Sequence, residues 1–390
     1  MKKYHFKIAL CLFIVALSFD VSAQISRQLD IPGRLQWDNA NGYCGETSIQ
    51  MIALYYGSYI SQNVCRTVAG GEVLIGDDNG ETALNSLSFN YLEWDYSQSS
   101  PQYQNYLVWI KQQLNNYHPV IITVYVQGMS DPDYDHIIPA IGFSAANINT
   151  FQNTDELLFN NCYDSTFYTR TFQSVWDTRS MNGNGSNYEY CIPKNVDYGC
   201  AVTGIKDDQH ETKPVHLSIV RWDEPNVTLG ESPVLLNAVI TIDSLNIGQQ
   251  YALLRYNNYA LIPSSGFSPS GASSAAYFTA TAATKTFTDN FMSNTAVFYR
   301  CIPYNYLGNA PETFIANEFN VYPNPVKDKL TIDSPENASV EIINSLGQIV
   351  KELTLTNSKN IVDLTVLTKG LYTIRIKTDK EMTTKKFIKK

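Results

Sequence analysis

Gln36-Trp37-Asp38-Asn39-Ala40-Asn41-Gly42-Tyr43-Cys44-Gly45-Glu46-Thr47-Ser48 is the stretch on which the reading of this chain turns. A Gly-aromatic-Cys-Gly turn runs straight into residues of helical periodicity. Ile49, Ile52, Ala53 and Tyr56 share one face, and Gly57 stops the run as a C-cap would. The pattern predicts a helix over 46–56, with Cys44 at its N-terminus. There the unpaired N–H groups and the helix dipole favour thiolate over thiol, and thiolate is the nucleophilic form. Glycines on both sides of Tyr43-Cys44 let a substrate backbone come close.

A thiol nucleophile needs a base and a group that orients the base. His136 heads the apolar run Ile137-Ile138-Pro139-Ala140-Ile141-Gly142-Phe143, which reads as a buried strand, and it is the best-placed base. The next strand-like run, Leu157-Leu158-Phe159-Asn160-Asn161-Cys162-Tyr163-Asp164, ends on three candidate orienters: Asn161, with Asn160 and Asp164 as alternatives. Gln36, upstream of Cys44, has a side-chain amide that can meet an oxyanion together with the Cys44 backbone N–H. A helical run over 102–115 and strand-like runs over 120–126, 136–143, 156–160 and 167–172 complete an α+β pattern.

The order Gln36, Cys44, His136, Asn161 resembles the papain-like cysteine peptidases, most closely their bacteriocin-processing branch and its secreted relatives. The resemblance covers about residues 31–175. It implies a papain-like fold, Cys44 as nucleophile, His136 as base, Asn161 as orienter where that branch usually has Asp, and Gln36 in the oxyanion role. Glu46 departs from the pattern, standing where small residues or Pro are usual. The implied reaction is hydrolysis of a peptide or amide bond in a peptide or protein substrate, without a cofactor. Two other readings use the same residues. One is a surface adhesin or binding module on a papain-like scaffold without turnover; the other is a thiol acyltransferase or transglutaminase.

The rest of the chain speaks to delivery. Lys2, Lys3 and Lys7 precede the apolar run Ile8 to Phe19, and Val21-Ser22-Ala23 offers small residues for cleavage, so residues 1–23 read as a signal peptide. The run is too short to span a bilayer, and no later stretch reads as a transmembrane helix. Residues 24–205 form the papain-like unit of this reading. Short β-branched and aromatic runs over 212–305 suggest a β-sandwich, 306–318 a linker, and 319–390 a small C-terminal β-sandwich. Tyr322-Pro323-Asn324-Pro325, the Asn344-Ser345-Leu346-Gly347 turn, Gly370-Leu371-Tyr372 and the closing Lys385-Lys386-Phe387-Ile388-Lys389-Lys390 resemble the C-terminal sorting domain of type IX secretion cargo in Bacteroidetes. That implies the type IX machinery as a partner and an extracellular or outer-surface destination.

The net charge of −9 is uneven, with both ends basic and the body acidic, which argues against nucleic acid as a partner. Beyond Cys11 in the leader there are six cysteines, an even count suited to disulfides in an oxidising compartment. Cys191 and Cys200 are the natural local pair, and Cys44 with Cys65 is the structural alternative to a reactive Cys44. No spacing suits a metal. Asp131-Pro132-Asp133-Tyr134-Asp135 alternates carboxylates but lacks the Gly and terminal Glu of a calcium loop. Residues 182–187 read as a flexible loop.

Overall fold

The computed structural model describes residues 24–37, 42–76, 79–125, 136–177, 190–193, 196–219, 233–305, 320–333, 338–345, 348–357, 359–377 and 382–390. The leader, Asp131 to Asp135, the loop 182–187 and the linker 306–318 lie outside the described residues.

The first unit is built on an antiparallel sheet of seven strands. These are β1 (Ile25–Gln28), β3 (Phe89–Glu93), β4 (Val120–Val124), β5 (His136–Ala145), β6 (Glu156–Asn161), β7 (Thr166–Thr171) and β10 (Gly199–Ile205). Their order is β3-β10-β4-β5-β6-β7, and β1 pairs with the far half of β5. Four helices accompany the sheet: α1 (Cys44–Tyr55), α2 (Gln62–Ala69), α3 (Asn79–Ser86) and α4 (Tyr103–Asn115); a single turn, α5 (Phe172–Val175), follows β7. Two-residue strands β8 (Trp176–Asp177) and β9 (Ile192–Pro193) pair in parallel beside it.

The second unit is a sandwich. One sheet orders β11 (Val215–Ile219), β12 (Leu235–Ile242) and β15 (Lys285–Met292). The other orders β14 (Ser274–Thr279), β13 (Gln250–Tyr256), β16 (Ala296–Pro303) and β2 (Ser58–Ile60). The last of these strands comes from the chain just beyond α1, so the two units share a sheet. Strand side chains alternate between faces. On β16, Val297, Tyr299 and Cys301 enter the sandwich core, whereas Ala296, Phe298 and Ile302 join the core of the first unit. A strand pressed between two cores has no solvent face, which is why β16 reads as a nearly continuous apolar run.

The tail, β17 (Asn320–Tyr322) through β18 (Lys329–Asp333), β19 (Ala338–Ile343), β20 (Ile349–Leu355), β21 (Lys359–Asp363), β22 (Gly370–Lys377) and β23 (Met382–Lys389), forms two antiparallel sheets around its own core. Asn324 laces its first segment to its last: its amide donates to Lys386 O at 3.1 Å, and its Oδ1 accepts from Ile388 N at 2.9 Å. Tyr322 donates to Asp333 Oδ2 at 2.7 Å, and Tyr372 stacks on Phe387.

The expectation of a papain-like first domain is overturned. The chain is mostly β, about 45% strand against 18% helix, spread over several sheets, and it forms no papain-like helical domain. Helix and strand both occur, so α+β holds only loosely. The reason is visible in the elements. The run at 46–56 does become a helix and Gly57, at φ +67°, does end it. Yet α2 and α3 have only eight residues each, and the helices pack among sheets. A local Cys-Gly turn dictates where one helix starts, not how many helices follow.

One buried ion pair fixes the site-bearing strands. Lys111 of α4 and Asp155 before β6 are both inaccessible. The ammonium donates to Asp155 Oδ2 and, at 2.8 Å each, to Asn147 O and Thr150 O. All three donors are thereby used, and the connection from β5 to β6 is tied to α4. Asp155→Ala would strand the buried ammonium, and the loss in urea-unfolding free energy is expected to be about 3–5 kcal/mol.

Candidate active site

α1 is buried on all sides from Gly45 to Leu54. Its first turn is pinned to β5 by Ser48, whose Oγ lies 2.8 Å from Cys44 O and 3.2 Å from Ile137 O. The Cys44 sulfur therefore sits against the start of β5, where a backbone hydrogen bond from Ile137 reaches it. Gly45 is required by contact: a Cβ there would lie 2.2 Å from Val73 O. Glu46, out of pattern in the sequence, is a buried partner for Arg66. Arg66 Nε bonds Glu46 Oε1 at 2.5 Å, and its guanidinium lies 3.5 Å from the Tyr43 ring centre and donates to Gly42 O. The acidic residue thus holds the turn before Cys44.

His136 is buried, and its Nε2 lies 3.2 Å from Asn161 Oδ1. The neighbours decide the proton. Tyr163 N–H, which can only donate, points at the same Oδ1 at 3.2 Å, and Asn161 Nδ2 donates to Tyr190 OH at 2.8 Å. The amide orientation is thereby set, so Nε2 carries the hydrogen and Nδ1 carries the lone pair. Nδ1 has no hydrogen-bond partner among the described residues, so no hydrogen bond joins it to Cys44 in this state. Tyr163 lies flat on the imidazole, with centroids 4.0 Å apart and planes 5° from parallel.

Of the four expected residues, Cys44, His136 and Asn161 come together, and Gln36 joins through a neighbour. Gln36 N donates to Cys162 O at 2.8 Å, and the Cys162 thiol donates to Gln36 Oε1 at 3.2 Å. Cys162 Sγ also lies 3.7 Å from His136 Nε2. Of the alternatives, Asn160 turns away from the imidazole, whereas Asp164 stays close enough to raise His136 and to take a hydrogen bond from Asn161. Asn160, its side chain on the other face of β6, lies over Gly33. Asp164 bonds Thr166 and Tyr168; against the burial that would raise it, these bonds hold its carboxyl below its ordinary value. The sequence reading missed Cys162, Tyr163 and Tyr190. The first two adjoin Asn161 and were within reach of strand alternation. Tyr190 arrives from a distant segment with no local signal.

Burial governs the charge state. It pushes the Cys44 thiol up to about 11, with Glu46 adding to the effect, although backbone hydrogen bonds from Ile137 and Gly45 oppose it. Burial also lowers His136 to about 4, against the bond to Asn161. Thiol and imidazole are both neutral at pH 7. Cys162 is also raised well above its ordinary value, by burial and then by Cys44, and it is inaccessible, so Cys44 is the sulfur that can meet solvent. None of the six cysteines described is in a disulfide; the bond expected between Cys191 and Cys200 is not formed, nor is one between Cys44 and Cys65. Among the described residues no group of three or more His, Cys, Asp or Glu side chains is arranged for a metal, and no helix is long and apolar enough to cross a membrane.

Residues 320–390 match the secretion system C-terminal sorting domain family. The chain is exported by the type IX route to the cell surface or extracellular space. A search of curated proteins finds no match. Among solved structures, PorZ, a surface component of the type-IX secretion system of Porphyromonas gingivalis, aligns at 11% identity and a TM-score of 0.19, over 69% of this chain and 51% of that one. The BSP domain of a biofilm-associated protein aligns at 12% identity and a TM-score of 0.17, over 65% of this chain and 41% of that one. The chain thus spans about half of the first and two fifths of the second. Scores this low do not denote a common fold.

The two buried groups predict a stability plateau. His136 titrates near 6.5 when unfolded and near 4 in the fold, so only the unfolded chain takes up this proton between those values. Stability is full above about pH 6.5 and falls by about 3 kcal/mol as pH drops to 4. Cys44, raised from 9.0 to about 11, contributes a second loss as pH rises through that interval. Urea unfolding across pH 4–11 reads both limbs, and His136→Gln should flatten the acid one.

Proposed function

We propose that the exported body is a thiol-dependent hydrolase of peptide or amide bonds, with Cys44 as nucleophile. The observation that supports this best is the state of His136. Its Nε2–H is held by Asn161 while the Nδ1 lone pair is left unbonded, and the Cys44 sulfur meets the backbone of the next residue, Ile137. Because both groups are neutral at rest, the thiolate is made during attack. The Cys44 proton passes to Nδ1 as sulfur adds to the substrate carbonyl. The oxyanion meets the Cys44 N–H and the NH2 end of the Gln36 amide, whose Oε1 is turned to Cys162. His136 then protonates the departing amine, leaving a thioester that water cleaves with His136 again as base. Asn161 steadies the imidazolium and keeps its tautomer, and Tyr163 shields the ring. In this reading residues 24–205 carry the chemistry and 212–305 brace it.

A second reading, a surface binding module without turnover, is favoured by a specific observation: Cys44 and His136 share no hydrogen bond, and burial keeps both uncharged. One experiment separates the two. The secreted protein is incubated with casein and with fluorogenic peptide amides, beside Cys44→Ala and His136→Ala. Hydrolysis abolished by Cys44→Ala and reduced about 10²–10⁴-fold by His136→Ala is expected. No turnover by the wild type, with Cys44 slow to alkylate below pH 9, would establish the binding module instead.

A further inference from the structure

At the other end of α1, about 17 Å along its axis from Cys44, a cleft of about 710 Å³ opens where the first unit meets the sandwich. Its lining includes none of Cys44, His136 or Asn161. Tyr55 and Tyr56 come from the end of α1, Tyr117 from the turn between α4 and β4, and His216 from β11.

Two properties mark this cleft as built. The first is its backbone. Tyr117 (φ +64°), His210 (φ +52°) and Ser244 (φ +58°) all line it, each in the left-handed region that side-chain-bearing residues avoid. Strained positions of this kind gather at ligand sites because surrounding structure is used to hold them. The second is the fixing of its rings. Tyr117 is 53% exposed, yet Arg27 lies 3.9 Å over its ring centre and donates to its hydroxyl. Tyr56 OH donates to Val202 O at 2.8 Å. His216 donates from Nδ1 to Tyr55 O at 2.6 Å, with its ring 4.9 Å from that of Tyr55. These aromatic faces are ordered before any ligand arrives, so little freedom remains to be lost on binding.

The polar groups indicate the ligand. Asp207, the buried carboxylate of the lining, is already taken by the N–H groups of Glu211 and Thr212 and by the Thr212 hydroxyl. Asp243 accepts from Thr284 and lies 3.6 Å from His216 Nε2. What remains among the described lining residues is a single cation, Lys213, among amides, hydroxyls and imidazoles such as Asn116, Ser244 and His118, with the Asn90 amide already donating to Ile205 O. Flat rings beside neutral hydrogen-bonding groups suit the C–H faces and hydroxyls of a sugar better than a strongly ionic ligand.

We infer that this cleft binds a neutral oligosaccharide, with the tyrosine rings as platforms and the surrounding amides and imidazoles reading its hydroxyls. The inference stands apart from the thiol chemistry and holds whether or not Cys44 turns over.

The test is calorimetric titration of the full secreted chain with cellohexaose, xylohexaose, mannohexaose and chitohexaose, repeated on Cys44→Ala and Tyr117→Asn. Asn tolerates the left-handed backbone at 117 while removing the ring. Saturable binding of at least one sugar, kept by Cys44→Ala and weakened at least tenfold by Tyr117→Asn, is expected. Protection of Tyr117 from tetranitromethane nitration by the bound sugar gives a readout that needs no variant. Failure of all four sugars to saturate at 10 mM, preferential capture of unrelated peptides, or unchanged binding and nitration at Tyr117 would overturn it.

Discussion

A helix with no solvent side organises the body of this protein. Burying every residue from Gly45 to Leu54 commits α1 to neighbours in all directions: β5 on one side, α2 on another, and the sandwich through β2 and β11. Such a helix can start only where its first turn fits, and that turn fits because residue 45 lacks a Cβ and Ser48 shares its hydroxyl between two carbonyls. The position of Cys44 is therefore a result of packing as much as of chemistry. The same packing buries the imidazole and desolvates most of the sulfur, leaving Cys44 partly accessible. A helix N-terminus would draw the thiol toward thiolate, but here burial is the larger effect and the neutral form wins.

Much of the local structure was legible. The helices at 46–56 and 102–115 appear as α1 and α4 within a residue or two, and β5, β6, β12, β13 and β16 lie where β-branched and aromatic runs placed them. The convergence of Cys44, His136 and Asn161 was legible because each sits at the edge of a periodic segment. Long-range assembly was not. β10 inserts between β3 and β4, and β2 leaves the first unit to extend a sandwich sheet; neither step has a signature within a window of ten residues. Nor could counting cysteines reveal that all six would remain thiols, since pairing depends on where buried side chains point. The papain-like fold expectation failed for a related reason: a motif constrains its own turn, whereas the balance of helix and sheet is set by the whole chain.

Glu46 shows how a residue can look wrong locally and be right in the fold. Beside a nucleophilic thiol a carboxylate is unhelpful, and it does raise the thiol further. Its side chain, however, is the anchor for Arg66, and Arg66 spans back to Tyr43 and Gly42. The electrostatic disadvantage to Cys44 comes with mechanical order in the turn that presents it.

The lacing of the tail by Asn324 has a consequence in time. β23 is synthesised after the whole body, and Asn324 finds its partners at Lys386 and Ile388 only then. Val326, bonded to Ile388 O and to Lys390 N, waits on the same strand. The sorting domain therefore cannot close until every residue of the body has been made, and domains of a growing chain fold in order of emergence. The sorting domain follows the body in the chain, so the address becomes readable only on a chain whose body has already been synthesised.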